Sequence, residues 1–295
     1  MVISFQFQSG MFSLKLWDFT KGFKLKGFRP FKLFSINMKI YITFFFTIFI
    51  LLLNGCNETI GDVTSTTSTS NISKTSVLLP LYSYPTDWES NVNLTNLISD
   101  TDGQTIAIIN PNNGAGLSQN TDYIAGIDYL YAKNVKIIGY VYTSYGARSK
   151  QDIYDDIDSY ISFYGVEKLS GIFFDEVSLN SDINQTFVKD ISSYARDKGL
   201  EYITLNPGTT IEQSIIDENY YNLIVTYENP YEKYKDFKNS LTSSTLTKQS
   251  LLVYNYPNLT SYSDEIQKAK DMNFDYIYLT TDTDPNPWDS VFDFL

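Results

Sequence analysis

The stretch LSGIFFDEV, residues 169–177, decides how the rest of the chain is read. Apolar and aromatic residues run without a charge and then end in two adjacent carboxylates, Asp175 and Glu176. Bulky Phe173 and Phe174 suit a strand buried on both faces, as parallel strands covered by helices are. Acids also cap helix N-termini. Here the chain continues to Asn180 before any helical spacing begins, so the two acids fall in a strand-to-helix loop, where binding and catalytic groups concentrate. Neighbouring residues on a strand point opposite ways, so both acids reach one site only if the strand ends between them.

Seven further apolar runs flank this one. With it they occupy residues 77–82, 105–110, 135–142, 169–175, 201–206, 223–227, 250–254 and 276–280. Between them Ile, Tyr, Phe and Ala recur at spacings of three and four, which predicts helices over 121–133, 151–164, 184–198 and 263–272. Gly199, following Arg196 and Lys198, marks a helix stop. Eight alternating units predict an α/β fold, a (β/α)8 TIM barrel, against the alternative of an open doubly wound sheet. The barrel is favoured because no Gly-x-Gly-x-x-Gly loop follows the first strand. Polar and aromatic residues also stand at the ends of nearly all the strands instead of at one switch point. Only PNPWDSVFDFL remains after Thr283, so the last helix is expected to be short or missing.

In a barrel the C-terminal strand ends converge on one site. They bring together Tyr82 and Tyr84; Asn110, Asn112 and Asn113; Tyr140, Tyr142 and Tyr145; Asp175 and Glu176; Asn206; Tyr227, Glu228 and Asn229; Tyr254 and Asn255; and Asp282. Acids, amides and many phenols on one rim describe a carbohydrate cleft, since amides and phenols hydrogen-bond hydroxyl and acetamido groups and rings cover the apolar faces of sugars. Glycoside hydrolysis needs two carboxyl groups flanking the scissile bond, and Asp175 or Glu176 can face Glu228 across the mouth. Repulsion within the Asp-Glu pair would raise one pKa, as a general acid requires. Arg148, in Tyr145-Gly146-Ala147-Arg148, is read either as a sugar-binding group or as a partner of an acid on the next helix such as Asp152.

Composition narrows the chemistry. The 295 residues include no histidine and one cysteine. A Ser-His-Asp triad, a Cys-His pair and His-ligated zinc are therefore excluded. A metal-dependent deacetylase built on carboxylates alone is the weaker alternative; no metal and no cofactor is expected.

Residues 1–37 are basic and aromatic without period and read as an over-extended start. Residues 38–56 read as a lipoprotein signal peptide. Met38 and Lys39 precede an apolar run over 40–53, too short for a comfortable membrane span, and then Leu53-Asn54-Gly55-Cys56. That tetrapeptide resembles the lipobox of bacterial lipoproteins, which makes Cys56 the expected lipidation site. Residues 57–75 are Ser, Thr and Asn with almost no apolar residue, a tether that cannot bury a core. Seven Lys and Arg against one Asp precede Asn57, leaving 15 basic and 33 acidic residues in the exported part. Such a surface repels nucleic acid and anionic lipid and tolerates neutral or cationic substrates. The expectation is an exported monomer held at a membrane by its N-terminal lipid.

The motifs LYSYP around Tyr82, IINPNNGAG from Ile108, GYVYTSYGAR from Gly139, GIFFDE from Gly171 and the Asn206-Pro207 turn together resemble the spherulin-4 family of glycoside hydrolases, over nearly all of residues 76–295. The resemblance implies a (β/α)8 barrel and endo-acting cleavage of an amino-sugar polymer, with α-1,4-linked N-acetylgalactosamine in galactosaminogalactan as the fungal substrate. It implies Asp175, Glu176 and Glu228 as the catalytic acids. The expected activity is thus a glycosidase acting on an exopolysaccharide such as a biofilm matrix, with a non-catalytic carbohydrate-binding lipoprotein on the same barrel as the alternative.

Overall fold

The computed structural model describes residues 75–101, 104–209, 211–257 and 262–291. The readings of residues 1–74, including the signal peptide, Cys56 and all of the tether but Thr75, lie outside the described residues.

Eight strands form one parallel sheet in sequence order. They are β1 (Val77–Leu81), β2 (Thr105–Ile109), β3 (Lys136–Tyr142), β4 (Gly171–Asp175), β5 (Tyr202–Leu205), β6 (Leu223–Pro230), β7 (Lys248–Tyr254) and β8 (Tyr276–Leu279). The sheet curls back on itself: Ser76 bridges Tyr276 in parallel, and the Ile277 N–H donates to the Ser76 carbonyl at 3.0 Å. The expected (β/α)8 barrel is therefore the fold, closed by one bridge where the other seams are ladders. β1 and β2 are buried along their whole length. Their sequences lack polar alternation because a barrel strand packs side chains into the lumen on one face and against helices on the other.

The helices are α1 (Val92–Thr101), α2 (Thr121–Ala132), α3 (Lys150–Tyr164), α4 (Asp182–Asp197), α5 (Gln213–Ile216), α6 (Tyr231–Tyr234) and α7 (Tyr262–Asp271). Side-chain caps set four of their starts, α1 among them, where Asn91 Oδ1 accepts from the Leu94 N–H at 3.0 Å. Asn120 accepts from the Asp122 and Tyr123 N–H groups, Ser149 from Asp152 and Ser181 from Asn184. In α3 the buried residues Ile153, Ile157, Tyr160 and Tyr164 recur every three or four positions and form the stripe that lies on the barrel. Tyr160 rests on Gly139 of β3, and its hydroxyl lies 3.0 Å from the Tyr140 carbonyl and 3.2 Å from that of Ile109. Among the described residues no α-helix follows β8; residues 280–291 instead run across the barrel mouth, tied by the Tyr82 N–H to the Trp288 carbonyl at 3.1 Å.

Candidate functional site

Two backbone irregularities aim the acids. β4 ends at Asp175, and Glu176 takes a left-handed conformation with φ of 52°. This backbone costs a non-glycine residue on the order of 1–3 kcal/mol and is held only where its surroundings fix it. The surroundings are the β3 loop: the Glu176 carbonyl accepts from the Tyr145 N–H at 2.6 Å and from the Thr143 hydroxyl at 2.7 Å, while the Thr143 N–H donates to the Asp175 carbonyl at 2.9 Å. Ser144 and Tyr145 on that loop are left-handed too, at 50° and 55°. The strand thus ends between the two acids, and of the pair Asp175 lines the cavity at the mouth while Glu176 does not.

The second irregularity is in β6. Val225 pairs with Ser250 and Tyr227 with Leu251, so Thr226 is an extra residue in the ladder. In an unbroken ladder Tyr227 would stand beside Leu252, which lines the mouth; the bulge places Glu228 there instead. Re-aiming a side chain next to a site is a recurrent use of bulges.

Asn206, at the end of β5 and 6% exposed, joins the acids. Its side-chain N–H₂ donates to Asp175 Oδ1 at 2.9 Å and to Glu228 Oε2 at 2.7 Å, while its own Oδ1 accepts from the Gly208 N–H at 3.3 Å. The Gly208 contact fixes which end of the amide faces the acids. Asn206 is itself clamped to β4, donating to the Phe174 carbonyl and accepting from the Val177 N–H. Since the two oxygens share one nitrogen, they lie no farther apart than the sum of those two lengths. That upper bound on the nearest oxygens falls short of the roughly 6.5 Å at which inverting carboxyl pairs begin.

Asp175 collects two further donors, the Tyr140 hydroxyl at 2.8 Å and the Glu176 N–H at 2.8 Å. Burial pushes the Asp175 carboxyl up from its ordinary range, and its three donors pull it back down. Burial likewise pushes Glu228 up; the Asn206 hydrogen bond opposes that and the Asp175 charge adds to it. Glu228 thus has fewer donors than Asp175 and a like charge against it, so Asp175 is the acid better suited to carry the charge and Glu228 the proton. The Tyr140 phenol is pushed up by burial and then by Asp175, which keeps it a donor at neutral pH.

A stability consequence follows. Because the folded pKa of Glu228 is raised above its unfolded value, its protonated form is the stabilised one. That contribution is complete below the unfolded pKa and is lost as pH rises through the folded value. The Tm of Glu228→Gln minus that of wild type should therefore become more positive as pH rises from about 4 to about 8, by a few degrees for each kcal/mol. Thermal melts of both proteins across that range check it, and a constant gap would contradict the raised pKa.

Of the residues expected at the site, Tyr82, Asn110, Tyr140, Asp175, Asn206 and Glu228 line one cavity of about 240 Å³ at the mouth. Tyr145 stands on the rim, 57% exposed. Asn110 also accepts from the Gly114 N–H at 3.2 Å, whereas Asn112 is exposed in the same turn, and Asn113 lines the cavity in its place. Tyr254 meets the edge of Trp288. Tyr227 points away, against Phe237 and Tyr234, and lines a neighbouring cavity of about 340 Å³. Asp282 braces the terminal segment by accepting from the Ser290 N–H and hydroxyl. Arg148 pairs with Asp156 at 2.6 Å, stacks 4.3 Å over Tyr142 and donates to the Tyr142 and Asp152 carbonyls. Its partner is thus the acid two turns into α3, not the Asp152 carboxylate, and Arg148 with Tyr142 shapes the loop that clasps Glu176.

Sequence reasoning did not single out Asn286 and Trp288, which also line the mouth. The signal was a tryptophan in a Pro-rich segment after the last strand, in a chain with three tryptophans. Among the described residues no group of three or more Asp, Glu, His or Cys side chains is gathered to hold a metal ion.

A sequence model of spherulation-specific family 4 matches residues 76–295. Spherulin-4 of Physarum polycephalum is 36% identical over 177 residues, which is 59% of this chain and 50% of that protein, so the match spans half the length of that curated relative. Among solved structures, Aspergillus clavatus Sph3 in complex with GalNAc superposes with a TM-score of 0.62 at 20% identity, covering 73% of this chain and 92% of that one. A chitinase from Rhizomucor miehei gives a TM-score of 0.42 at 11% identity, covering 73% and 97%.

Proposed function

This chain belongs to spherulation-specific family 4, and on that premise we propose that it is a glycoside hydrolase that cleaves an amino-sugar polysaccharide with retention of anomeric configuration. The observation that carries the reading is the Asn206 amide shared between Asp175 and Glu228. It supports the reading because one oxygen of each carboxyl reaches the same amide nitrogen, close enough for a nucleophile and an acid to share one bond. Asp175, with three donors on its oxygens, is the nucleophile. Glu228, whose carboxyl burial and then the nearby Asp175 charge push toward the protonated form, gives its proton to the leaving oxygen. The ionised Glu228 then takes a proton from the water that releases the sugar from Asp175, so both acids return to their starting states. Glu176, next in the chain after Asp175 and held at its carbonyl by the Tyr145 N–H, supplies negative charge near the oxocarbenium-like centre as the bond breaks.

An amino sugar is favoured because Sph3, which shares the fold, is a complex with GalNAc. The rim supplies amides and phenols for hydroxyl and acetamido groups. The chain's net charge of -12 also suits a neutral or cationic polymer better than an anionic one. The proposal includes export and tethering through a lipid on Cys56, supported by the apolar run and the Leu53-Asn54-Gly55-Cys56 tetrapeptide; Cys56→Ser should leave the membrane fraction, and unchanged partitioning would refute the tether.

The test of function is reducing-sugar release by the full chain from galactosaminogalactan and from acetylated and deacetylated amino-sugar polymers, with and without a chelator. The first-formed anomer is followed by proton NMR. Release that survives the chelator and yields the anomer of the substrate is expected. An inverted product would overturn the nucleophile assignment, and binding without release would make the protein a tethered lectin.

A further inference from the structure

β5 and β6 are paired only briefly. Their ladder consists of Thr204 with Leu223 and Leu205 with Ile224, whereas β6 stays paired with β7 as far as Pro230 and Tyr254. Beyond Leu205 the chain on the β5 side keeps to β4 instead: the Asn206 N–H donates to the Phe174 carbonyl at 2.8 Å, and the Asn206 carbonyl accepts from the Val177 N–H at 3.1 Å. The barrel wall therefore opens between the two strands, and the Asn206 side chain crosses the opening to reach Glu228 at 2.7 Å. The cavity of about 340 Å³ lies there, lined by Thr209 from the β5 side, by Asn229 and Lys233 from the β6 side, and by the Tyr227 and Phe237 rings, whose centroids are 4.2 Å apart. Its volume falls within the roughly 300–1,000 Å³ of small-molecule sites.

Asn206 and Glu228 line this cleft and the mouth cavity alike, whereas Asp175 lines the mouth and not the cleft. That asymmetry gives the substrate a direction. The sugar that becomes bonded to Asp175 has to occupy the mouth. A proton donor has to lie within hydrogen-bond reach of the leaving oxygen, so the carboxyl that faces both cavities is the one placed to protonate the oxygen joining the two units. We propose that the cleft between β5 and β6 seats the leaving-group side of the polymer, with an uncharged sugar unit beside Lys233. The Tyr227 and Phe237 rings offer an apolar wall for one face of that sugar, and Thr209 and Asn229 offer partners for its hydroxyls. Lys233 is the one cation lining the cleft among the described residues. Its ammonium gives one hydrogen to Asn229 Oδ1 at 3.2 Å, keeps others for a hydroxyl or acetamido oxygen, and repels a free amine. The direction of the chain rests on the hydrolase reading; occupation of the cleft by the polymer does not.

Thr209→Trp, at an exposed position on the edge of the cleft, obstructs it. Rates of the full chain are compared on an N-acetylgalactosamine oligosaccharide and on the glycosyl fluoride of the same glycone, whose leaving group is a single atom and needs no cleft. The loss in kcat/KM should be about 10- to 100-fold greater on the oligosaccharide than on the fluoride, because only the oligosaccharide has contacts on that side to lose. Equal losses on the two substrates, from a wild type that cleaves both, would overturn the cleft assignment and leave the hydrolase reading standing. Lys233→Glu tests the chemistry of the seat. On a partly deacetylated polymer, mass spectrometry of the new non-reducing ends should show the share of free-amine units rising by about two- to fivefold in the variant, the size of an exposed charge pair. An unchanged share would overturn the role of Lys233.

A binding measurement needs no cleavage. Affinity for galactosaminogalactan is compared between Glu228→Gln and the double variant that adds Thr209→Trp. A loss of about tenfold or more on adding Thr209→Trp is expected, and equal affinities would overturn the proposal. That loss, in a protein whose wild type releases nothing from either substrate, would keep the cleft as a polymer-binding site and refute the hydrolase reading alone.

Discussion

Asp175→Asn and Glu228→Gln each lower kcat/KM on the responsive polymer by about 10²- to 10⁴-fold, the contribution of a positioned acid, base or nucleophile, while leaving the protein folded. The two losses differ in kind. Glu228→Gln removes the proton for the leaving group, so its deficit shrinks on a substrate whose leaving group needs no protonation, such as an aryl glycoside. Asp175→Asn removes the nucleophile, and its deficit is the same on both. Neither change alters volume much, and Asn206 can still donate to the amide oxygen that replaces each carboxylate. The two effects do not add in the double variant, because the residues act on one bond through one shared amide. Rates measured on both substrate types for the two single variants and the double variant decide this. Activity within tenfold of wild type in either single variant would remove that residue from the mechanism.

Gly171→Ala has the largest expected effect on stability. Gly171 opens β4 and pairs with Tyr202 of β5, and a methyl group added to it would fall on the Tyr202 backbone carbonyl. No side-chain rotation relieves that clash, since the obstacle is main chain. The strand must shift or the β4–β5 ladder must break, so a loss of at least about 3 kcal/mol is expected, at the severe end for overpacking. In a domain of this size that lowers Tm by roughly 6–12 °C. Gly139→Ala is the informative comparison. Its added methyl meets the ring of Tyr160, a side chain on α3 that can retreat at some cost. The expected order is wild type, then Gly139→Ala, then Gly171→Ala, read by thermal or denaturant melts; a Gly171→Ala protein as stable as wild type would overturn the main-chain clash.

Helices were legible in the sequence in proportion to their length. The four that were expected each span ten residues or more and carry an apolar stripe. α1 also shows the spacing, in Leu94, Leu97 and Ile98, but Asn and Thr interrupt it with weak helix formers, and it went unread. α5 and α6 have four residues each, too few for any period to show.

The sequence by itself determined the eight-unit alternation, the barrel and the strand that carries Asp175 to the rim. These follow from local chemistry: an apolar run buried on both faces is written in consecutive residues, and so is the break where the acids begin. Register is not written that way. Whether Tyr227 or Glu228 enters the mouth depends on the extra residue at Thr226, which exists only relative to β7. The backbone turns left-handed at Glu176 where the β3 loop holds its carbonyl, a contact across 31 residues of chain for Tyr145 and 33 for Thr143. Trp288 joins Glu228 at the mouth only after the barrel has closed and residues 280–291 have crossed it. Tertiary structure decided these three placements because each is a pairing between distant segments, and periodicity within one segment carries no information about which residue of another it will meet.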